Sequence, residues 1–260
     1  MSNEKLDGLV GAFVAACLGV FGPERTDGIV IHGSAVKGGA IPGFSDVDFQ
    51  VYLCPDCFDG AGNLPDDLLF AIQERIGSLP WVEAGCGYPQ AYFYDARRMP
   101  EWWTGPAPGT YRVLHGRLPE GIEATAEKMR AASIRFFRDL PGRIQSNVSN
   151  FADSIDSQLA RRVRNLGTDV TPALFCLLTL EAADPLELWA LPKQVALKRV
   201  ERRYAGAEGP TLARQFYENV TKLYGGEFDP GLGRETFRLG VRFLRWAEGV
   251  GQSLPEADQR

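Results

Sequence analysis

The sequence predicts an α+β protein in which a small mixed sheet is followed by an all-helical bundle. Within residues 1–118, short runs rich in β-branched and aromatic residues alternate with stretches of helical periodicity. Within residues 119–260, six successive stretches carry apolar residues at helical spacing, with glycine and proline between them. We therefore expect a sheet-containing domain at 1–118 and a helical domain at 119–260.

The expected elements follow from the apolar periodicity and from the breakers between the periodic stretches. In the first domain they are a helix over 6–21, a strand over 29–31, a strand that ends at Leu53, a helix over 64–78, and strands over 88–95 and 109–116. In the second domain they are helices over 120–140, 143–165, 172–183, 192–204, 211–224 and 234–249. Pro141-Gly142 and Gly167-Thr168 are expected to separate the first three of these helices.

Composition and charge limit the classes of partner. The net charge of −5 and the pI near 5.2 disfavour a polymeric nucleic acid, which is usually held by a basic surface. The five cysteines are odd in number and irregularly spaced, which favours a reducing compartment, so we expect a cytoplasmic protein. No apolar run is long enough to span a bilayer, and no membrane partner is expected.

Residues 29–53 carry the most informative pattern in the chain. Two apolar runs flank a glycine-rich connection that begins with Gly33 and Ser34, and the second run opens with Asp46 and Asp48. Alternate residues of a strand point to the same side, so the two carboxylates repel each other unless a cation lies between them. Glycine after a strand lets a phosphate approach backbone N–H groups. The stretch therefore predicts a site for phosphate and magnesium, suited to attack by a hydroxyl on an α-phosphate.

The pattern from Gly33 to Phe49, G-S-A-V-K-G-G-A-I-P-G-F-S-D-V-D-F, resembles the hallmark of the DNA-polymerase-β-like nucleotidyltransferase superfamily. In layout the chain is most similar to aminoglycoside-nucleotidyltransferase-type proteins, which add a helical C-terminal domain. The resemblance implies a nucleoside triphosphate substrate, two magnesium ions and a small-molecule acceptor bound between the domains. It assigns nucleotide binding to Gly33 and Ser34, and metal binding and catalysis to Asp46 and Asp48.

The same resemblance implies a third carboxylate on the strand after the helix, as a metal ligand or as the base for the acceptor hydroxyl. The position where Glu is expected holds Gln90, whose amide accepts no proton at neutral pH. Asp95 at the end of that strand is the predicted catalytic substitute, although its parity differs from that of Gln90. Glu83 in the preceding loop is a further candidate.

Two residues have both a functional and a structural interpretation. Lys193 follows Pro192 at the start of a predicted helix and would bind the triphosphate as a point charge; otherwise it is a solvated lysine. His32 would contact phosphate or acceptor; otherwise it packs at the strand end.

The predicted function is magnesium-dependent transfer of a nucleoside monophosphate to a hydroxyl of a small molecule. The uncertain third carboxylate leaves two alternatives. One is a non-catalytic nucleotide-binding or regulatory protein. The other is a toxin-like enzyme that modifies protein or tRNA.

Overall fold

The structure is a computed structural model that describes residues 3–87, 89–100 and 103–253. Its strands are β1 (Thr26–His32), β2 (Val47–Leu53), β3 (Pro89–Asp95) and β4 (Tyr111–Gly116). Its helices are α1 (Asn3–Phe21), α2 (Ser34–Lys37), α3 (Asp66–Gly77), α4 (Ala126–Ala152), α5 (Leu159–Thr179), α6 (Pro185–Trp189), α7 (Lys193–Arg203), α8 (Glu208–Gly225) and α9 (Pro230–Ser253). The predicted α+β class is confirmed. Tyr88, at the start of the strand expected over 88–95, lies outside the described residues.

The four strands form one mixed sheet in the order β3-β2-β1-β4. β1 pairs antiparallel with β2 and with β4, whereas β2 pairs parallel with β3. A parallel pair needs a crossover connection, and α3 provides it between β2 and β3. The two central strands, β1 and β2, are buried along almost their whole length, and β3 is an edge strand.

The two faces of this sheet differ in chemistry. One face, called here the apolar face, packs against α1 and α3; the rings of Phe13 and Phe49 stack there with centroids 3.7 Å apart. Burying a side chain of this size contributes about 1.5–3 kcal/mol, so this face anchors the sheet. The other face, called here the polar face, carries His32, Asp48 and Gln90 at one end. At its other end, Tyr52 is fully buried in a smaller apolar cluster.

The chain divides into two compact units, residues 1–124 and 125–260. The division was expected at 118/119, six residues earlier. The intervening segment belongs to the first unit because Ile122 is buried in the cluster around Tyr52. The Ala124 N–H also donates to the Pro106 carbonyl at 3.1 Å.

The second unit consists of α4 to α9, and two of its helices contradict the predicted breaks. α4 continues through Pro141-Gly142, and α5 continues through Gly167-Thr168 and Pro172. Proline in a helix interior costs about 3 kcal/mol. Leu140 and Ile144, on either side of Pro141, are fully buried, so tertiary packing favours the continuous helix despite the lost hydrogen bond. The short helix α6 was not predicted.

Two further observations concern the cysteines and the length of the helices. All five cysteines are free thiols. Within the residues that the structure describes, no helix combines the length and the apolar character needed to cross a bilayer.

Candidate functional site

Gly33 lies in the turn that joins β1 to α2, and its backbone lies against a carboxylate. It caps α2 with φ 73°, a conformation that glycine adopts readily. A Cβ atom at this position would lie only 2.5 Å from Oδ2 of Asp48. The backbone angle therefore favours glycine, and a larger residue would displace the Asp48 carboxylate. The turn places Gly33 beside the Asp48 side chain, and Ser34 follows it as the first residue of α2.

A closed turn before β2 determines where Asp46 enters the sheet. The Ile41 N–H donates to Ser45 Oγ at 2.9 Å, and the Ser45 N–H donates to the Ile41 carbonyl at 2.8 Å. The Gly87 N–H also donates to the Ser45 carbonyl at 3.2 Å, which ties this turn to the segment before β3. Ser45 thus closes the turn, and Asp46 follows it directly, one residue before β2.

The strand register brings three functional candidates into one row across the polar face. His32 of β1 pairs with Asp48 of β2, and Asp48 pairs with Gln90 of β3. Neighbouring strands lie about 4.8 Å apart, so all three side chains project from adjacent positions. The amide of Gln90 therefore occupies the position beside Asp48 where a third carboxylate was sought.

Tyr92 lies close to both aspartates, which the sequence analysis did not anticipate. Burial and then the negative charges of Asp48 and Asp46 raise the pKa of its phenol, so the hydroxyl stays protonated at neutral pH. The Gln90 amide donates a hydrogen bond to this hydroxyl. The β3 side of the aspartate pair consequently presents an amide and a phenol, both neutral.

The structure does not bring Asp95 to the aspartate pair, and this expectation is corrected. Asp95 pairs with Leu53 at the opposite end of β2, and its carboxylate accepts from the Arg97 N–H at 2.9 Å. The same carboxylate lies 3.7 Å from the Arg98 guanidinium. Its position at the strand end makes Asp95 the cap of the following turn.

Glu83 is also distant from this row. It is exposed in a turn and, together with Lys5 and Leu9 of α1, lines an open groove. Because α1 packs on the apolar face, this groove lies on the other side of the sheet from Asp48. Neither candidate carboxylate replaces Gln90.

A chain of hydrogen bonds along the polar face links His32 to Gln50 and Tyr52. Tyr52 Oη donates to Gln50 Oε1 at 2.5 Å, and Gln50 Nε2 lies 3.1 Å from His32 Nε2. Burial, followed by the charge of Lys37, lowers the pKa of His32 to about 4. The imidazole is therefore neutral at pH 7, and its Nε2 accepts from the Gln50 amide. The histidine packs and makes a hydrogen bond at the strand end, which agrees with its structural interpretation.

Three neighbours of the row were missed from the sequence: Gln50, Tyr52 and Tyr92. Strand parity contains the signal for the first two, because both lie an even number of residues after Asp48 and so share its face. Tyr92 has the parity of Gln90, but its proximity to the aspartates depends on the parallel pairing of β3 with β2.

Lys193 lies in the second unit, at the first position of α7 directly after Pro192. Its side chain is buried rather than solvated, with Nζ 5.9 Å from the centroid of the Tyr217 ring. The Tyr217 hydroxyl shares a 2.7 Å hydrogen bond with Thr171 of α5. The interpretation of Lys193 as a solvated lysine is therefore wrong.

Comparisons with known proteins bear on the fold. No protein-family model matches the sequence, and no curated protein matches it. Among solved structures, the chain is similar to spectinomycin adenyltransferase AAD(9) from Enterococcus faecialis, which was crystallised with ATP and spectinomycin. The TM-score is 0.55 at 14% sequence identity, and the match covers 94% of this chain and 100% of that one. The chain therefore shares the fold of this adenyltransferase, and in this chain the fold consists of a mixed sheet followed by a helical part.

Proposed function

We propose that this protein transfers a nucleoside monophosphate from a nucleoside triphosphate to a hydroxyl of a small-molecule acceptor. The observation that carries the proposal is the approach of the Gly33 backbone to the Asp48 carboxylate. A phosphate-binding turn and a metal-binding carboxylate must adjoin if one ion is to bridge them. The fold shared with an adenyltransferase solved with ATP supports the proposal and makes ATP the first donor to test.

Magnesium fits the donor set of this site. Among the described residues, no three or more histidine, cysteine, aspartate or glutamate side chains come together as a complete set of metal ligands. A metal at this site would therefore need further ligands from the substrate and from water. Magnesium needs only one or two protein carboxylates when phosphates and water supply the remaining ligands. Asp46 and Asp48 would hold it. When bound, the metal would neutralise the charge that develops on the phosphates.

The remaining work in the proposal is positioning. The first N–H groups of a helix have no hydrogen-bond partner within the helix. The N–H groups at the start of α2 and the Ser34 hydroxyl would bind the phosphates that leave as pyrophosphate. Lys193 stays the predicted cation for the triphosphate. Holding donor and acceptor in line lowers the activation barrier without covalent chemistry, by about 7–11 kcal/mol in favourable cases.

A second candidate function is triphosphate binding without transfer. The observation that favours it is Gln90, because an amide in the row beside Asp48 cannot take the proton of an acceptor hydroxyl. Such a protein would use the same Gly33, Ser34, Asp46 and Asp48 for binding. The two candidates therefore differ in pyrophosphate release and not in affinity for the triphosphate.

Calorimetric titration of ATP with magnesium tests the part that both candidates share. Asp48→Asn is expected to weaken binding by about tenfold or more, because an interaction with a charged group is worth about 1.5–3 kcal/mol. Asp56→Asn is the matched control, since Asp56 is exposed in the short turn after β2 and should leave affinity unchanged. Equal affinity in the wild type and Asp48→Asn would contradict the proposed site.

Pyrophosphate release then separates the two candidates. Wild-type protein is incubated with ATP, magnesium and a panel of small hydroxyl compounds, and the acceptor product is identified by mass spectrometry. Release that depends on an acceptor and is lost in Asp48→Asn supports transfer. Tight binding without release from any acceptor supports the binding protein.

A further inference from the structure

The polar face has two sides with different tasks if the proposed function holds, and the present inference rests on that function. In the strand order β3-β2-β1, Asp48 on β2 lies between Gly33, after β1, and Gln90 on β3. Phosphoryl transfer proceeds with the attacking and leaving oxygens roughly in line. If pyrophosphate leaves towards Gly33 and Ser34, the acceptor must approach from the β3 side.

The β3 side is an aromatic surface that begins beside the aspartates. Tyr92 is 38% exposed, and its ring stacks on that of Tyr94 with centroids 6.1 Å apart and planes 12° apart. The Tyr94 ring in turn contacts Trp103, with centroids 4.6 Å apart. These three residues, Tyr92, Tyr94 and Trp103, are called here the aromatic wall. A flat or apolar ring would pack against it, as aromatic rings do with one another.

The charges along β3 do not suit a cationic acceptor. Gln90 and Tyr92 are neutral, and the one carboxylate between Pro89 and Asp95 belongs to Asp95 itself. That carboxylate already lies 3.7 Å from Arg98 and accepts from the Arg97 backbone. Since the proposed function assigns Asp46 and Asp48 to magnesium, an acceptor with several ammonium groups would lose hydration here without gaining a carboxylate partner from β3.

The geometry points to a neutral acceptor with a flat or apolar ring, which packs on Tyr92 and presents its hydroxyl beside Gln90. Because Gln90 Nε2 donates to the Tyr92 hydroxyl, its Oε1 is the atom that accepts from the acceptor hydroxyl. The acceptor oxygen forms a bond to the α-phosphorus, the bond from that phosphorus to the bridging oxygen breaks, and pyrophosphate leaves. The hydroxyl proton passes to solvent water. Spectinomycin, a cationic aminocyclitol, is outside this class.

The test uses the full chain with magnesium and α,β-methylene-ATP, an analogue that binds but cannot transfer its nucleotide. Calorimetry first measures the affinity for the analogue, which reports on the proposed function alone. Saturation-transfer NMR then measures binding of three probes to the loaded protein: benzyl alcohol, naphthalenemethanol and spectinomycin. Binding is expected for the two neutral alcohols and not for spectinomycin.

Three variants test whether the aromatic wall binds the neutral alcohols. Tyr92→Ala is expected to weaken naphthalenemethanol by about fivefold, the effect of losing one aromatic contact, with unchanged affinity for the analogue. Tyr92→Phe keeps the ring but removes the hydroxyl that orients Gln90, so it should bind naphthalenemethanol less tightly than the wild type and more tightly than Tyr92→Ala. Phe70→Ala is the matched control, because Phe70 is 65% exposed on α3, which packs on the apolar face.

Three results would overturn the inference while leaving the proposed function intact. One is binding of spectinomycin in place of the neutral alcohols. Another is an unchanged affinity of naphthalenemethanol in Tyr92→Ala. The third is a loss of analogue affinity in Tyr92→Ala, which would assign the wall to the nucleobase. Failure of the wild type to bind the analogue would instead refute the proposed function, and this inference with it.

Discussion

The β1–β2 half of the polar face and the β3 half differ in how strictly geometry constrains them. Around Gly33 and Asp48, a single added carbon would overlap a carboxylate oxygen, since the distance would be 2.5 Å. Around Tyr92, the surface is partly exposed and has no comparable restriction. The first half has the features expected for triphosphate and metal, whereas the second has an amide in place of the expected acid. Donor binding and acceptor chemistry thus depend on separate strands of one sheet.

The largest expected effect comes from restoring a carboxylate on β3. Gln90→Glu is expected to raise the rate of pyrophosphate release by about a hundredfold with a hydroxyl acceptor, because a positioned general base contributes about 10²–10⁴. The rate is measured with ATP, magnesium and benzyl alcohol. Gln90→Leu is the control, since it removes the amide without adding a base. If glutamate is no faster than leucine, proton removal does not limit this protein.

The next effect tests the strictness of the β1–β2 half with two glycines of similar backbone geometry. Gly33 and Gly38 have φ of 73° and 82°, but a Cβ atom at Gly38 would meet nothing within 4 Å. Each change to alanine should cost about 1–3 kcal/mol of stability, because both backbones lie in a region of positive φ that is almost confined to glycine. Only Gly33→Ala is expected to weaken ATP binding, by about tenfold or more, since it alone displaces the Asp48 carboxylate. Equal losses of affinity, measured by calorimetry, would show that the contact has no functional role.

The smallest effect concerns His32, which is hydrogen-bonded to Gln50, itself hydrogen-bonded to the buried Tyr52. Its pKa falls from 6.5 to about 4 on folding, so the unfolded chain binds more protons between these values. The contribution of neutral His32 to the free energy of unfolding is therefore fully present above pH 6.5. It is lost as the pH falls through about 4. Urea unfolding compares the wild type with His32→Gln, which has no group that titrates in this range. Between about pH 7 and pH 5 the wild type should lose about 1–2 kcal/mol more than the variant. If the free energy of unfolding falls equally with pH in both proteins, His32 is not held neutral in the folded state.

The sequence contained the local part of the site and not the part that depends on strand pairing. Gly33 and Ser34 follow a strand directly, and Asp46 and Asp48 begin the next one, so their spacing alone indicates a common site. Parity also indicated that Asp95 and Gln90 face opposite ways. That Asp95 lies at the far end of β2, and that Tyr92 lies near the aspartates, requires the parallel register between β2 and β3. Such pairing joins residues about 40 positions apart and leaves no local signature.

The same limit applies to the helices of the second unit. Their apolar periodicity was sufficient to predict the helical class. Pro141 and Pro172 were interpreted as breaks or as a helix start, because local rules disfavour proline inside a helix. The structure continues α4 and α5 through both residues. Burial of Leu140, Ile144 and Ala173 stabilises the continuous helices, and this packing cannot be seen in one stretch of sequence.

The central claim is that triphosphate and metal meet between Gly33–Ser34 and Asp46–Asp48. Backbone amide NMR with ATP and Mn²⁺, a paramagnetic substitute for magnesium, tests it most directly, because resonances near the ion broaden. We predict broadening centred on residues 33–34 and 46–48 that extends to the adjacent His32 and Gln90, with the signals of Glu83 and Asp95 retained. Broadening centred on Glu83 or Asp95, or none that depends on ATP, would contradict the account.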